Sequence, residues 1–176
     1  MEQLRTEWTV INSKLVKHAT ALVNKRIEKA YIKLPSKTLL SQRNEDEFIP
    51  LTEGELIFNK IQHGEIIEYG KLQKALLQLK ECHEKINDYG KKKIEELHKC
   101  NDTNDKIGIP INNNKNYNNR LAYMYNINHI NKILSAYSQE MKVKERIIED
   151  INGQRKREIL LAYTATILME PYLTQI

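Results

Sequence analysis

Apolar residues recur along this chain at three- and four-residue steps, with polar residues filling the positions between them. In the first run Trp8, Ile11, Leu15, Ala19, Leu22, Val23, Ile27, Ala30 and Leu34 share one face at helical spacing. The pattern predicts a helix from about Arg5 to Leu34, ended by Pro35, because a residue before proline is pushed out of the α region. Thr52 to Glu55 reads Thr-Glu-Gly-Glu, the form of a capping box, and predicts a short helix through Leu56, Ile57 and Ile61 that stops near Gly64. A third stripe, Tyr69, Leu72, Leu76, Leu79, Ile86, Ile94 and Leu97, predicts a long helix from about Glu65. Gly70 and Gly90 interrupt it, each costing about 1 kcal/mol against alanine. Burial of the stripe is expected to carry the helix through Gly90.

The segment Asn118–Leu134 is crowded with asparagine, yet Tyr123, Ile127, Ile130, Leu134, Tyr137 and Met141 step through it in a 4-3-4-3-4 rhythm. That rhythm is the seam of one helix against another. Asparagine lowers helix propensity by at most ~0.7 kcal/mol per site. Burying a large apolar side chain returns ~1.5–3 kcal/mol, so packing outweighs propensity and a helix is predicted. Asn152-Gly153 breaks the pattern. A last helix follows from about Gln154 through Ile159, Leu160, Tyr163, Ile167 and Leu168, and Pro171 ends or kinks it. The whole reads as all-α, an elongated bundle of four long helices and one short helix in a single domain over 1–176. Residues 36–51 and 101–115 are expected to be flexible loops or insertions.

Composition agrees. The chain has 176 residues, enough for one real core, and only 6 Gly and 4 Pro, too few for a turn-dense β fold. The net charge of +5 invites a nucleic-acid reading, but 23 acidic residues are interleaved with 28 basic ones, as on a solvated helical surface. No apolar run approaches the ~18 residues a membrane span needs, and no secretory leader is evident, so no membrane association is expected. Cys82 and Cys100 are the two thiols, which suits a reducing compartment.

Candidate chemistry is sparse. Cys82, His83, His98 and Cys100 are zinc-type ligands, but on one continuous helix the two thiols lie about 27 Å apart and converge only if the chain folds back at Gly90. His18, His63 and His129 have no nucleophile or carboxylate at a recognisable catalytic spacing, and no phosphate-binding glycine loop occurs. No metal, no cofactor and no catalysis are expected. Lys91–Lys93 and the run Gln154–Glu158 are basic. The latter falls at a helix start, where cations oppose the helix dipole, which raises the expectation of an acidic partner there. Tyr123, Tyr125, Tyr137 and Tyr163 sit on or beside the seams of the last two helices, where an amphipathic ring suits a core edge or an interface. Tyr123 and Tyr125 are two apart, about 200° around a helix. One is expected to serve the internal seam while the other faces outward.

Ala122-Tyr123-Met124-Tyr125, with Arg120 just upstream and with Glu158 and Tyr163 on a later helix, resembles the helical domain of the Psf-one subunit of the GINS complex. Lys71–Ile86 and the stretch near Ser13 resemble that family's second and first helices. Ile127 stands where the family carries an arginine, and the family's small β-rich domain would follow Ile176. The resemblance implies a non-catalytic, nuclear structural subunit of the eukaryotic replicative DNA helicase assembly, needed for initiation and elongation. Its helices would pack beside sister helical subunits in a hetero-oligomer, with DNA contact indirect or weak. Arg120, Tyr123, Tyr125, Glu158 and Tyr163 would lie at the partner interface. Glu145–Glu158 is also similar to a helix of the small coiled-coil subunit of the Prp-nineteen-associated splicing complex, which leaves a splicing or kinetochore scaffold as the alternative.

Overall fold

The structure, a computed structural model, describes residues 1–32, 52–106 and 113–175, with side chains outside the description at 101–120 and 175. Among the described residues it is all-α: α1 (Glu2–Ala30), α2 (Glu53–Lys106), α3 (Asn113–Gly153), α4 (Arg157–Met169) and a closing 3-10 turn (Leu173–Gln175). No described helix is long and apolar enough to cross a membrane.

The helices form an up-down-up-down bundle. α1 runs antiparallel to α2, so that Glu7 pairs with Lys85 at one end and Lys29 with Glu65 at the other. α3 runs antiparallel to α2, marked by Lys80–Glu145 and by His83 against Ser138. α4 returns along α1 and α3, where Ile167 lends its carbonyl oxygen to both Asn12 and Lys144. Trp8, Leu15, Leu22, Leu72, Leu79, Ile86, Ile151, Leu160 and Ile167 fill the centre with almost no exposed surface. The stripes read from the sequence are the faces that meet there.

α1 starts at Glu2 and ends at Ala30, four residues short of Leu34. Tyr31 and Ile32 donate to the carbonyls three residues back, tightening the last turn into a stop. Pro35 and the loop expected over 36–51 lie outside the described residues. The capping box is present atom for atom: Glu55 N–H donates to Thr52 Oγ1 at 3.3 Å, and Thr52 N–H donates to Glu55 Oε2 at 2.7 Å.

The stop expected near Gly64 does not occur. The short helix and the third helix are one, α2, because tertiary contacts outweigh the glycine. Ile61 is buried, the Lys25 side chain covers Gly64, and Glu65 holds Arg26 and Lys29 of α1. Helix also occupies 101–106 and 113–115 of the stretch expected as a loop, and 107–112 lie outside the described residues. Residues 154–156 form the α3–α4 connection, so α4 begins at Arg157 rather than Gln154. The Gln154 side-chain oxygen accepts from the backbone N–H groups of Arg155 and Lys156. Just before Pro171, Glu170 takes the left-handed conformation (φ 46°) and ends α4.

The two interrupting glycines differ in kind. A Cβ on Gly70 would meet open space, whereas one on Gly90 would come within 2.7 Å of both methyl carbons of Leu134, whose half-buried side chain would have to move to admit it. Gly70→Ala is expected to stabilise the protein by about 1 kcal/mol. Gly90→Ala should destabilise it by roughly 1–3 kcal/mol through overpacking. Urea titration of the pair checks the opposite signs.

Candidate interaction surface

α1 begins level with Cys82, whose thiol donates to the Leu4 carbonyl, and the chain's closing turn meets α3 at Glu140. Beyond those points α2 and α3 pack only against each other among the described residues. Residues 87–106 of α2 and the first half of α3 therefore form a two-helix arm, about 30 Å long at 1.5 Å per residue. Its seam is Ile94 and Leu97 against Tyr123, Ile127, Ile130 and Leu134, all half-buried. The 4-3-4 rhythm predicted this face. It is less covered than the bundle core because, among the described residues, one neighbouring helix lies on it.

The arm separates the two tyrosines as their 200° offset requires. Tyr123 is half-buried, its hydroxyl within hydrogen-bonding distance of His98 Nδ1 on α2 and its ring edge-on to that imidazole, centroids 5.7 Å apart. Tyr125 is 71% exposed and lies parallel to the ring of His129 one turn on, at 6.2 Å. Leu121 and Met124 are exposed beside it. Positions 121, 124, 125 and 129 make a second stripe at helical spacing, so this part of α3 is apolar on two faces and α2 covers one of them.

Of the other residues singled out by sequence, Arg120 lies in α3 one residue before Leu121, with its side chain outside the description. Glu158 is exposed in the first turn of α4, where a carboxylate complements the dipole, and Tyr163 is half-buried against the core. These two are not beside the arm tyrosines. α4 meets α3 at Lys144, about 28 Å along the helix from Tyr125. The structure thus brings Tyr123, Tyr125 and the backbone of Arg120 together on the arm, and Glu158 and Tyr163 together on the bundle.

The Cys/His set stays apart. α2 runs unbroken through Gly90, which leaves Cys82 and Cys100 about 27 Å from one another. Burial pushes the Cys82 thiol up to about 11, so it stays protonated and inert. Burial also holds His83 below its ordinary value, against the pull of Glu145 and Glu84, while its Nε2 lies 3.0 Å from Ser138 Oγ and 3.2 Å from Asn87 Nδ2. The unfolded ring titrates near 6.5 and the folded ring only at lower pH. The unfolded chain then binds more protons between the two values. Stability contributed by neutral His83 is full above about pH 6.5 and falls as pH drops through that value. Thermal melting followed from about pH 7.5 to 5 should show this loss, and His83→Gln should flatten it.

One polar cluster escaped sequence reading. Glu140 and Lys144 are both fully buried. Lys144 Nζ lies 3.0 Å from Glu140 Oε1 and 3.3 Å from Glu170 Oε1, and donates to the Ile167 carbonyl at 3.1 Å. Glu140 Oε2 accepts the Tyr172 backbone N–H, whereas Oε1 meets the lysine out of line and makes no hydrogen bond. Glu170 also accepts from Trp8 Nε1 at 2.7 Å. Its left-handed backbone thus returns a carboxylate into the bundle. The cluster ties the chain's last turn to α1 and α3. Glu140 and Lys144 are enclosed, Glu170 is partly exposed, and the three engage one another, which is the arrangement of a structural latch.

Among the described residues, fold and surface together define an all-α bundle with a two-helix arm that carries an exposed apolar stripe on α3. No family model matches the chain, and no curated protein or solved structure matches it.

Proposed function

We propose that this chain is a non-catalytic structural subunit that joins a hetero-oligomer through the outer face of its arm. The observation that carries this reading is the second apolar stripe on α3, Leu121, Met124 and Tyr125, left uncovered where α2 takes the opposite face. A helix with apolar residues at i, i+3 and i+4 on its free side offers what another helix needs, and contiguous exposed apolar surface of this kind marks interaction sites. Tyrosine is also among the residues that dominate binding energy when buried at an interface.

The particular assembly rests on the motif resemblance. Ala122-Tyr123-Met124-Tyr125 falls on the arm and Glu158 with Tyr163 on the bundle, so a GINS-type subunit of the nuclear replicative helicase would use two faces of this chain toward its sister subunits. DNA contact would be indirect or weak. The experiment is affinity purification of the tagged chain from nuclear extract, with partners identified by mass spectrometry. Sister GINS subunits and helicase components are the expected partners. Splicing or kinetochore proteins would replace the assembly while keeping the interaction role, and recovery of the chain alone would overturn both.

A further inference from the structure

At the end of the bundle remote from the arm, a cleft of ≈ 680 Å³ opens between the last turns of α1, the first third of α2 and the α3–α4 connection. That volume is within the range of working binding sites, ~300–1,000 Å³. Its walls differ in character. Phe58, Ile66 and Tyr69 of α2 make one side apolar, and Ile66 is 66% exposed. Arg26, Lys29 and Arg155 make the other side cationic, against the single lining carboxylate of Glu65.

The charges are not equivalent. Glu65 is shared by Arg26 Nε at 3.3 Å and Lys29 Nζ at 2.9 Å. Arg26 also donates to the Ile151 carbonyl, so it is occupied in closing the end of α3. Lys29 lies 4.7 Å over the Phe58 ring. Arg155 is exposed and has no ion-pair partner among the described residues, and the same holds for Lys156 and Arg157 beside it. Lys156 is the N-cap of α4 and makes no side-chain cap, so the first turn of that helix, headed by two cations, has no intramolecular acceptor in its own cap residue. Three adjacent cations at a helix start oppose the dipole, and Glu158 in the first turn offsets them only in part. An anionic occupant reverses that cost.

We propose that this cleft docks an acidic segment of a partner protein that carries an aromatic or large aliphatic side chain. Carboxylates would engage Arg155 and its basic neighbours, and the apolar side chain would lie between Ile66, Phe58 and Tyr69. Peptide fits better than nucleic acid because Phe58, Ile66 and Tyr69 offer an apolar wall to a side chain, while Arg26 and Lys29 are already held by Glu65, which leaves Arg155 for a carboxylate rather than a row of cations for a phosphate backbone. Lys156 and Arg157, exposed and next to Arg155 in the chain, add positive charge near the site, which steers an acidic partner toward it. The surface is separate from the arm. Tyr125 and Gly153 are about 42 Å apart along α3, so this inference and the arm reading succeed or fail independently.

The test is fluorescence anisotropy on the full chain with a labelled peptide repeating Glu-Glu-Asp-Phe. Polyglutamate of equal charge, a Gln-Gln-Asn-Phe peptide and an oligodeoxythymidylate are the comparators. The acidic aromatic peptide is expected to bind best. Arg155→Glu and Ile66→Asp are each expected to weaken it about tenfold or more, with circular dichroism unchanged. Several results would overturn the proposal: no binding by the acidic aromatic peptide, equal binding of polyglutamate or of the oligonucleotide, or indifference to both substitutions. Binding that emerges only when Glu45, Asp46 and Glu47 are neutralised would assign the cleft to the chain's own acidic run and would overturn it too.

Discussion

Replacing Lys144 with methionine is expected to cost about 3–5 kcal/mol, the range for removing one member of a buried ion pair. The reason lies in what remains. Glu140 has no solvent-exposed surface and keeps one backbone N–H, from Tyr172, while its other oxygen faces apolar atoms with no counter-charge. Glu170 is affected less, because it is partly exposed and retains Trp8 Nε1. Against a typical total stability of 5–15 kcal/mol, the loss is large, and the melting temperature should fall by roughly 6–20 °C. The double variant Glu140→Leu with Lys144→Met should recover most of it, since an apolar pair of similar volume removes the unpaired charge together with its partner. A single-variant loss below about 1 kcal/mol would show that the cluster does not hold the last turn.

Trp8→Ala is expected to destabilise by about 3–5 kcal/mol, the cost of emptying a large aromatic site in a packed core. Trp8 is almost wholly buried, stands edge-on to Tyr137 with centroids 4.9 Å apart, and donates to Glu170. Trp8→Phe separates the two contributions. It keeps most of the ring packing and loses the hydrogen bond to a charged group, worth about 1.5–3 kcal/mol. Denaturation followed by circular dichroism distinguishes them, the alanine variant melting first. Equal losses in the two variants would place the whole effect in the Glu170 contact.

The helices were legible because their stripes were long. Trp8 to Val23, Leu72 to Ile86 and Tyr123 to Met141 each sustain helical spacing over several turns, and all face another helix in the structure. The fused α2 was not legible. Gly64 followed by the charged Glu65 resembles a helix end, and what overrides it is a contact with Arg26 and Lys29 from a segment almost forty residues away in sequence. The split of Tyr123 and Tyr125 between seam and solvent followed from angle alone. That Glu158 and Tyr163 lie far from them depends on how α4 folds back, which no local pattern encodes. The latch did leave a trace. The rhythm of the α3 seam continues past Met141 to positions 144, 148 and 151, and the first of these is a lysine. A charged residue in step with Ile148 and Ile151 implies a buried partner, and Glu140 one turn earlier supplies it.

In the proposed function the outer face of the arm is an interface. The most direct measurement compares partner recovery and thermal stability for the tagged wild type, Tyr125→Ala and Tyr123→Ala. Tyr125→Ala is expected to melt like wild type and to lose partner binding by about 2 kcal/mol or more, roughly thirtyfold, while Tyr123→Ala should lower the melting temperature by disturbing the contact with His98. Full partner recovery by a Leu121→Ala, Met124→Ala, Tyr125→Ala triple variant that remains folded would contradict the proposed interface.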